Sequence, residues 1–224
     1  MKFSVVFRDA LSTVSLLHRI STLNDPAKPA DLVHISMKYP AIAPLQRHSE
    51  FLELAELVKT HNCVCILEIG TFRGGTLFVL SRLADADATI ISVDYHFSLR
   101  GKFWRIFQNP LFHRMIRRGQ HLFLLRKNSH KPDTLAKIQE ILKGRKLDLL
   151  FIDGDHSYAG VRKDFEMYMP LVRSGGLVAF HDIAQDMPGI EVIKLWKEIK
   201  DNYKHAEFVN RTDNDLMGIG VLWV

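Results

Sequence analysis

Two cysteines, Cys63 and Cys65, are all the thiol chemistry that this chain of 224 residues carries. On a strand, residues two apart point to one face, a poor geometry for a disulfide. A disulfide-stapled fold is excluded, and buried free thiols in a reducing compartment are expected. No apolar run approaches the roughly 20 residues needed to cross a bilayer. The apolar run near Met1–Arg8 is too short for a signal peptide. A cytoplasmic location is therefore expected. The G-x-G-x-x-G dinucleotide fingerprint is absent, which speaks against a nicotinamide-dependent oxidoreductase. There is no internal repeat and no low-complexity tract. Acidic residues are missing from the whole stretch between Tyr95 and Pro132, which holds nine basic ones: Arg100, Lys102, Arg105, Arg114, Arg117, Arg118, Arg126, Lys127 and Lys131. The net charge of +5 comes from this one segment, since without it the chain would be net negative. Its basic character is thus local rather than a general solubility device.

The chain has ample material for a core, with 47% hydrophobic residues. Apolar runs and helical periodicities alternate along it. Phe7 to Ile20 reads as a helix, and Pro26, Pro29, Pro40 and Pro44 mark the region after it as loops. A helix around Phe51–Val58 precedes strands at Val64–Ile69 and Thr89–Val93. The basic segment shows helical spacing interrupted at Pro110. Then come strand His121–Leu125, helix Asp133–Leu142, strand Leu147–Ile152 and helix Tyr158–Val172, stopped by Gly175-Gly176. Strand Leu177–Phe180, helix Ile190–Tyr203 and a closing pair, Glu207–Val209 with Ile219–Val224, complete it. Alternation of this kind predicts an α/β fold with a mostly parallel sheet covered by helices on both faces. Residues 1–45 form a helical and loop extension. Residues 46–224 form the main domain, with a basic aromatic insert at about 96–120.

The first candidate site is Leu67-Glu68-Ile69-Gly70-Thr71-Phe72-Arg73-Gly74-Gly75-Thr76, followed about twenty residues later by Asp94. Strand, glycine turn, helix, strand and acid make the start of a nucleoside-binding unit. Gly70 and Gly74 permit close approach of backbone and ligand. Asp94 is placed to accept two hydrogen bonds from a ribose diol. The second candidate is Phe151-Ile152-Asp153-Gly154-Asp155-His156-Ser157-Tyr158, with His181-Asp182 ending the next strand. Strand ends of this kind are where ligands sit in open α/β sheets. Two carboxylates and an imidazole suit a hard divalent ion such as Mg²⁺ or Mn²⁺.

With Glu68 two residues before Gly70, the first phrase resembles motif I of class I S-adenosylmethionine-dependent methyltransferases. The phrase FIDGDHSYAGVRKDFEMYMPLVRSGGLVAFHD is similar to methyltransferase family 24, to the metal-assisted macrolide sugar O-methyltransferases and to cephalosporin-hydroxylase-like proteins. The resemblance covers roughly Gln46 to the C terminus. It implies a Rossmann-like class I methyltransferase sheet with an antiparallel C-terminal edge. It also implies S-adenosyl-L-methionine as cofactor, bound by Glu68, Gly70, Thr71, Gly74, Asp94, Ser129 and Asp153. Asn128 would lie beside Ser129 at the adenine, and Gln46 and Glu50 would close over the cofactor. By position in the phrase, Asp153 is a metal ligand and His156 the general base. Asp182 carries over as a ligand to Mg²⁺ or another divalent metal. His181 stands where the macrolide enzymes have an acid. The implied activity is methyl transfer to a hydroxyl of a sugar, polyol or other small acceptor.

Bland readings accompany these. Asp153 could cap a turn, His156 could cap a helix, and Asp155, Tyr158, Val161 and Asp164 are explained by packing. The rival functions are an oxygenase relative of the cephalosporin-hydroxylase type and a non-catalytic nucleoside-binding protein. The bland reading of the insert is a solvated helical face with core aromatics; among functional readings it is expected to be a substrate lid. In that reading Phe103, Phe107 and Phe112 wall the pocket, and Arg114, Arg117 and Arg118 select an anionic acceptor. Contact with an anionic membrane surface is the next reading, nucleic-acid binding is disfavoured, and self-association is open.

Overall fold

The computed structural model describes residues 3–23, 27–95, 108–212 and 216–224, with side chains from residue 11 onward. Seven strands form one sheet: β1 (Cys65–Ile69), β2 (Thr89–Val93), β3 (His121–Leu125), β4 (Leu147–Ile152), β5 (Val172–His181), β6 (Lys204–Phe208) and β7 (Ile219–Trp223). Their order is β3-β2-β1-β4-β5-β7-β6. The first five are parallel, and β7 runs antiparallel between β5 and the edge strand β6. Strand order reverses between β1 and β4, so a crevice opens there at the carboxyl end of the sheet.

Strand periodicity divides the core in two. Ile66, Ile90, Leu149, Phe151, Leu177 and Ala179 face one side. There they meet α1 (Phe3–Ser21), α2 (Pro29–Lys38), α3 (His48–His61), α4 (Gly75–Leu83) and α5 (residues 108–115). Leu67, Ile69, Ile91, Leu150, Ile152, Val178 and Phe180 face the other. That side is covered by α6 (Pro132–Leu142), α7 (Tyr158–Tyr168) and α8 (Val192–Ile199). The same period of two, continued to the strand ends, puts Glu68, Ser92 and His181 on the α2–α5 side.

Several local expectations are corrected. Residues 29–38 are a helix, α2, not a loop: Pro29 sits at its first turn, where a missing N–H costs nothing. Its Leu32, Val33 and Ile35 share the core with α4. Helix α7 stops at Tyr168, and residues 172–176 belong to β5. The Gly175-Gly176 pair lies where the β4–β5 register shifts, with Gly175 at φ +73°, so it accommodates an irregularity in a strand. Pro110 is in the first turn of the described part of α5 and does not break it. Both cysteines are buried and free. Burial, reinforced by Asp148, pushes the Cys63 thiol up to about 12, so it is inert.

The described half of the basic insert is an ordinary β2–β3 crossover. Phe112 is fully buried in the core, under the turn at Gly74, and does not line the cavity at the carboxyl end of the sheet. Arg117 donates to the carbonyl of Ala84 at the opposite, amino end of the sheet. Arg114 is exposed on α5 and Arg118 on the turn that follows it. These positions place the anion-selecting role expected of Arg117 away from the crevice. Phe103, Phe107, Arg100, Lys102 and Arg105 lie outside the described residues.

Candidate active site

A cavity of about 760 Å³ occupies the crevice at the β1/β4 reversal. That is an ordinary size for a cofactor site. It runs from Asp94, Tyr95 and Lys127–His130 at one end, past Gly70 and Thr71, to Asp153–His156 and His181-Asp182 at the other. The turn after β1 makes the crevice narrow. A Cβ on Gly70, at φ +91°, would lie 1.9 Å from the carbonyl oxygen of Asp153, so the two strand ends can approach only over a glycine. Gly74 is needed for a different reason than ligand approach: a Cβ there would strike the ring of Phe112 at 2.4 Å. It is not part of the cavity wall. Gly75 receives the carbonyl of Ile42, and Arg73 donates to the carbonyl of Pro40 (2.5 Å), so the loop before α3 is clamped onto this turn.

At the reactive end the side chains are held by one another. His156 Nδ1 is 2.8 Å from Asp182 Oδ2, and its Nε2 is 3.6 Å from Asp153 Oδ1. His181 Nδ1 lies between two carboxylates, 3.3 Å from Asp153 Oδ1 and 3.1 Å from Asp182 Oδ1. Gln46 Nε2 donates to Asp153 Oδ2 at 2.8 Å, and the Thr76 hydroxyl donates to Gln46 Oε1 at 3.2 Å. Asp182 has φ +62°, an uncommon conformation for a residue with a side chain. The two imidazoles that hold its carboxylate offset that strain.

The charges follow from this packing. The hydrogen bond to Asp182 holds the His156 pKa above the ordinary histidine range. For His181, burial opposes the charged ring, but Asp153 and Asp182 outweigh it and bring the pKa to about 10. Burial likewise opposes ionisation of Asp182, and the bonds from His156 and His181 override it, holding this carboxyl below its usual range. Glu68 is the opposite case. It is fully buried on β1, and neither carboxyl oxygen has a hydrogen-bond partner among the described residues. Burial first, then the nearby Asp153 and Asp94, push its pKa well above the carboxylate range, and the Thr71 hydroxyl recovers only part. Thr71 itself bonds to Ser92 beneath the turn.

At the other end Asp94 is nearly buried, with Arg126 Nη1 3.3 Å from Oδ2. Arg126 also donates to Asn109 on α5 at 2.8 Å. Three of the basic residues in the acid-free stretch are thus occupied, since Lys127 pairs with Asp133 as Arg126 does with Asp94 and Arg117 bonds backbone. Asn128 and Ser129 line the cavity, and Asn128 Oδ1 accepts from the His130 N–H at 2.8 Å. Glu50 is not at the cavity. Its two oxygens accept from the N–H groups of Asn210 (2.8 Å) and Gly218 (3.1 Å) and so tie α3 to the loop before β7.

The methyltransferase-domain family matches residues 67–183, just over half of the chain and the part that builds this cavity. The chain belongs to the methyltransferase-domain family. An uncharacterised protein of Acanthamoeba polyphaga mimivirus is 28% identical over 137 residues, 60% of this chain and 59% of that protein. An uncharacterised protein of Sinorhizobium fredii is 28% identical over 89 residues, 40% of this chain and 10% of its own length. The chain therefore spans about three-fifths of one curated relative and a tenth of the other. The O-methyltransferase TomG of Streptomyces achromogenes, involved in tomaymycin synthesis and solved with S-adenosylmethionine, superposes with a TM-score of 0.62. It is 16% identical, with 91% of each chain covered. An O-methyltransferase of Bacillus cereus solved with S-adenosylhomocysteine gives 0.60 at 16% identity, covering 91% of this chain and 93% of that one. At such identities the likeness speaks for the methyltransferase fold.

Within this methyltransferase domain, several supporting residues are invisible in the motifs. The Glu191 N–H donates to the His156 carbonyl at 2.7 Å, while its carboxylate accepts from the Tyr158 N–H at 3.1 Å. The start of α8 thereby grips the loop that carries His156. Asp155 Oδ1 accepts from the Ser157 N–H and hydroxyl, at 3.0 and 2.7 Å, and fills the space over Gly160. Glycine inside α7 is explained by that contact. Only Gln46 and the turn-forming Asp155 carried any sequence signal, a polar residue before a helix and an acid two before a cap.

Proposed function

We propose that this chain is an S-adenosylmethionine-dependent O-methyltransferase acting on a hydroxyl of a small molecule. The observation that carries the reading is the His156–Asp182 pair at one end of a cavity whose other end offers Asp94. A ribose diol on Asp94 and a nucleoside laid past Gly70 would bring the methionine portion of the cofactor to Asp153, His156 and Asp182. The methyl group is already activated as a sulfonium, so the protein must align an acceptor oxygen and remove its proton. With Nδ1–H donated to Asp182, His156 keeps Nε2 free to take that proton, and the developing imidazolium is stabilised by the carboxylate behind it.

Asp153, His181 and Asp182 offer ligand atoms that lie within 4.8 Å of one another, and Asp182 Oδ1 is buried against the His181 ring. This O/N set fits a divalent ion, which when bound would lower the pKa of a coordinated acceptor hydroxyl. His181 must lose its Nδ1 proton to join it, because that atom faces both carboxylates. Gln46 would leave Asp153 Oδ1, rather than Oδ2, turned to this centre. The oxygenase and nucleoside-binding alternatives lack such a base with a reason to be there.

The test is release of S-adenosylhomocysteine from S-adenosylmethionine in the presence of a panel of sugars, polyols and phenols, with and without a chelator. An acceptor that turns over, and a loss of about 10²–10⁴-fold in His156→Ala with cofactor affinity kept, support the reading. Turnover that is equally fast in His156→Ala would reject His156 as the base. Turnover unaffected by the chelator would leave His181, as an imidazolium, in place of the metal.

A further inference from the structure

The two edges of the sheet are protected differently. Strand β6 forms one edge, and it carries exposed Lys204, His205 and Glu207. Charged side chains on an edge discourage a further strand from pairing there. Strand β3 forms the other edge and reads His121-Leu122-Phe123-Leu124-Leu125, with no acid, lysine or arginine. Leu122 and Leu124 pack into the core on the α2–α5 side. Phe123 points to the opposite face, packs into neither half of the core and is 39% exposed. Among the described residues nothing pairs with the outer side of β3.

Backbone geometry says which groups of β3 are open. The His121 N–H donates to the Ala88 carbonyl at 2.9 Å, and the Leu125 carbonyl accepts from the Asp94 N–H at 3.0 Å. Both backbone groups of a strand residue point to one side, and the side alternates, so residues 121, 123 and 125 address β2. The N–H and C=O groups of Leu122 and Leu124 are therefore turned outward, and this set is its own complement. We propose that two copies of this chain associate through β3, paired antiparallel about a two-fold axis at Phe123. Leu122 of each copy then faces Leu124 of the other, each such pair exchanging both of its N–H···O=C bonds. Phe123 meets Phe123 of the second copy in a non-hydrogen-bonded pair, where Cα atoms are about 4.5 Å apart and side chains are closest. An aromatic pair at that place covers the exposed ring. A foreign strand would satisfy the same backbone groups but has no reason to set an aromatic side chain at the centre. An axis at Leu122 would put Leu124 against Gln120, whose N–H is already given to the Arg117 carbonyl, and an axis at Leu124 would run the pair past the end of the strand. The cations after β3 do not repel the second copy, because Arg126 is paired with Asp94 and Lys127 with Asp133. An edge of five residues is a small contact, so the dissociation constant is expected to be on the order of micromolar. The contact does not rest on the cofactor reading given above.

The experiment is sedimentation velocity across a concentration range of about 1–200 μM. Wild type is expected to pass from monomer to dimer within that range. Phe123→Lys is expected to stay monomeric throughout, because the two-fold axis sets like charges directly opposite each other. Phe123→Cys gives a second reading that locates the contact. Oxidation should link two copies covalently, since a non-hydrogen-bonded antiparallel pair brings the two Cβ atoms close to disulfide reach. Cys63 and Cys65 are buried, so wild type should give no such product. A wild type that remains monomeric at the top of the range, or a dimer that Phe123→Lys leaves intact, would overturn the inference. So would a dimer in which Phe123→Cys fails to cross-link, because the interface would then lie on another face. Should Phe123→Lys not fold, the Phe123→Cys cross-link alone decides.

Discussion

Glu68 at the end of β1 and Asp182 at the end of β5 are both buried carboxyls at the carboxyl edge of one sheet, yet they are driven in opposite directions. Asp182 has an imidazole on each oxygen and is held ionised. Glu68 has two carboxylates nearby and the Thr71 hydroxyl offsets them only in part, so its pKa is pushed well above the carboxylate range. Burial is similar, so partners decide the charge. Glu68, beside the turn after β1, is thereby pushed toward its neutral form, while Asp182 at the β4–β5 end is pushed toward its charged form.

The comparison breaks most severely if Asp182 is removed. Asp182→Ala takes from His156 and His181 one of the two carboxylates that face them, and loss of one partner from a buried ionic cluster costs about 3–5 kcal/mol. Urea denaturation should show this loss. A change below about 1 kcal/mol would mean that the cluster is not ionised as described.

The pH dependence of stability in chelator separates the two residues by sign. His181 has its pKa raised to about 10 when folded, so its contribution is complete below the unfolded histidine value of about 6.5 and is lost as pH climbs through 10. Asp182 is depressed, so its contribution is present above about 3.9 and fades as pH falls toward its lowered folded value. The cluster should therefore stabilise most between about pH 4 and 6.5. His181→Asn should flatten the alkaline limb. An alkaline limb unchanged by that substitution would contradict the charge assigned to His181.

Asp94 probes the distant end of the same cavity. On the proposed reading, replacing it with Ala would remove a charge-assisted contact to the ribose, and it takes away the carboxylate beside Arg126. The expected loss of S-adenosylhomocysteine affinity is about 1.5–3 kcal/mol by calorimetry. Equal affinity in the mutant would remove Asp94 from the site.

The smallest effect is expected at Glu68. A neutral acid and an amide have nearly the same shape, so Glu68→Gln should shift stability by no more than about 1 kcal/mol at pH below the unfolded glutamate value of about 4.3. It should also abolish a protonated-carboxyl band in the infrared difference spectrum. Because the folded pKa is raised, wild-type Glu68 contributes most below the unfolded value and loses that contribution as pH rises through the folded one. Glu68→Gln should accordingly be the more stable form at neutral and alkaline pH. A large loss at neutral pH would show that Glu68 is ionised after all.

Strands, their order of appearance and the two motifs could be read in the sequence because a buried parallel strand is a plain apolar run and its end is marked by the first polar residue. Asp153 and Asp182 are 29 positions apart, yet adjacent parallel strands bring their ends together by rule. The Arg126–Asp94 pair and Gln46 on Asp153 obey no such rule. Each joins a loop to a distant element, and nothing in local periodicity records it. Helix α2 was hidden by its own proline, which reads equally as a loop marker and as a first-turn residue. The basic segment misled in a different way. Its charges look like a surface for a ligand, but Arg117, Arg126 and Lys127 meet acids or carbonyls contributed from outside the segment.

The most direct test of this account is a calorimetric titration of S-adenosylhomocysteine into wild type, Asp94→Ala and His156→Ala. Binding by wild type, loss of about tenfold or more in Asp94→Ala and near-equal affinity in His156→Ala would place the nucleoside and the base at opposite ends of one cavity. No binding by wild type, or an equal loss in both variants, would contradict it.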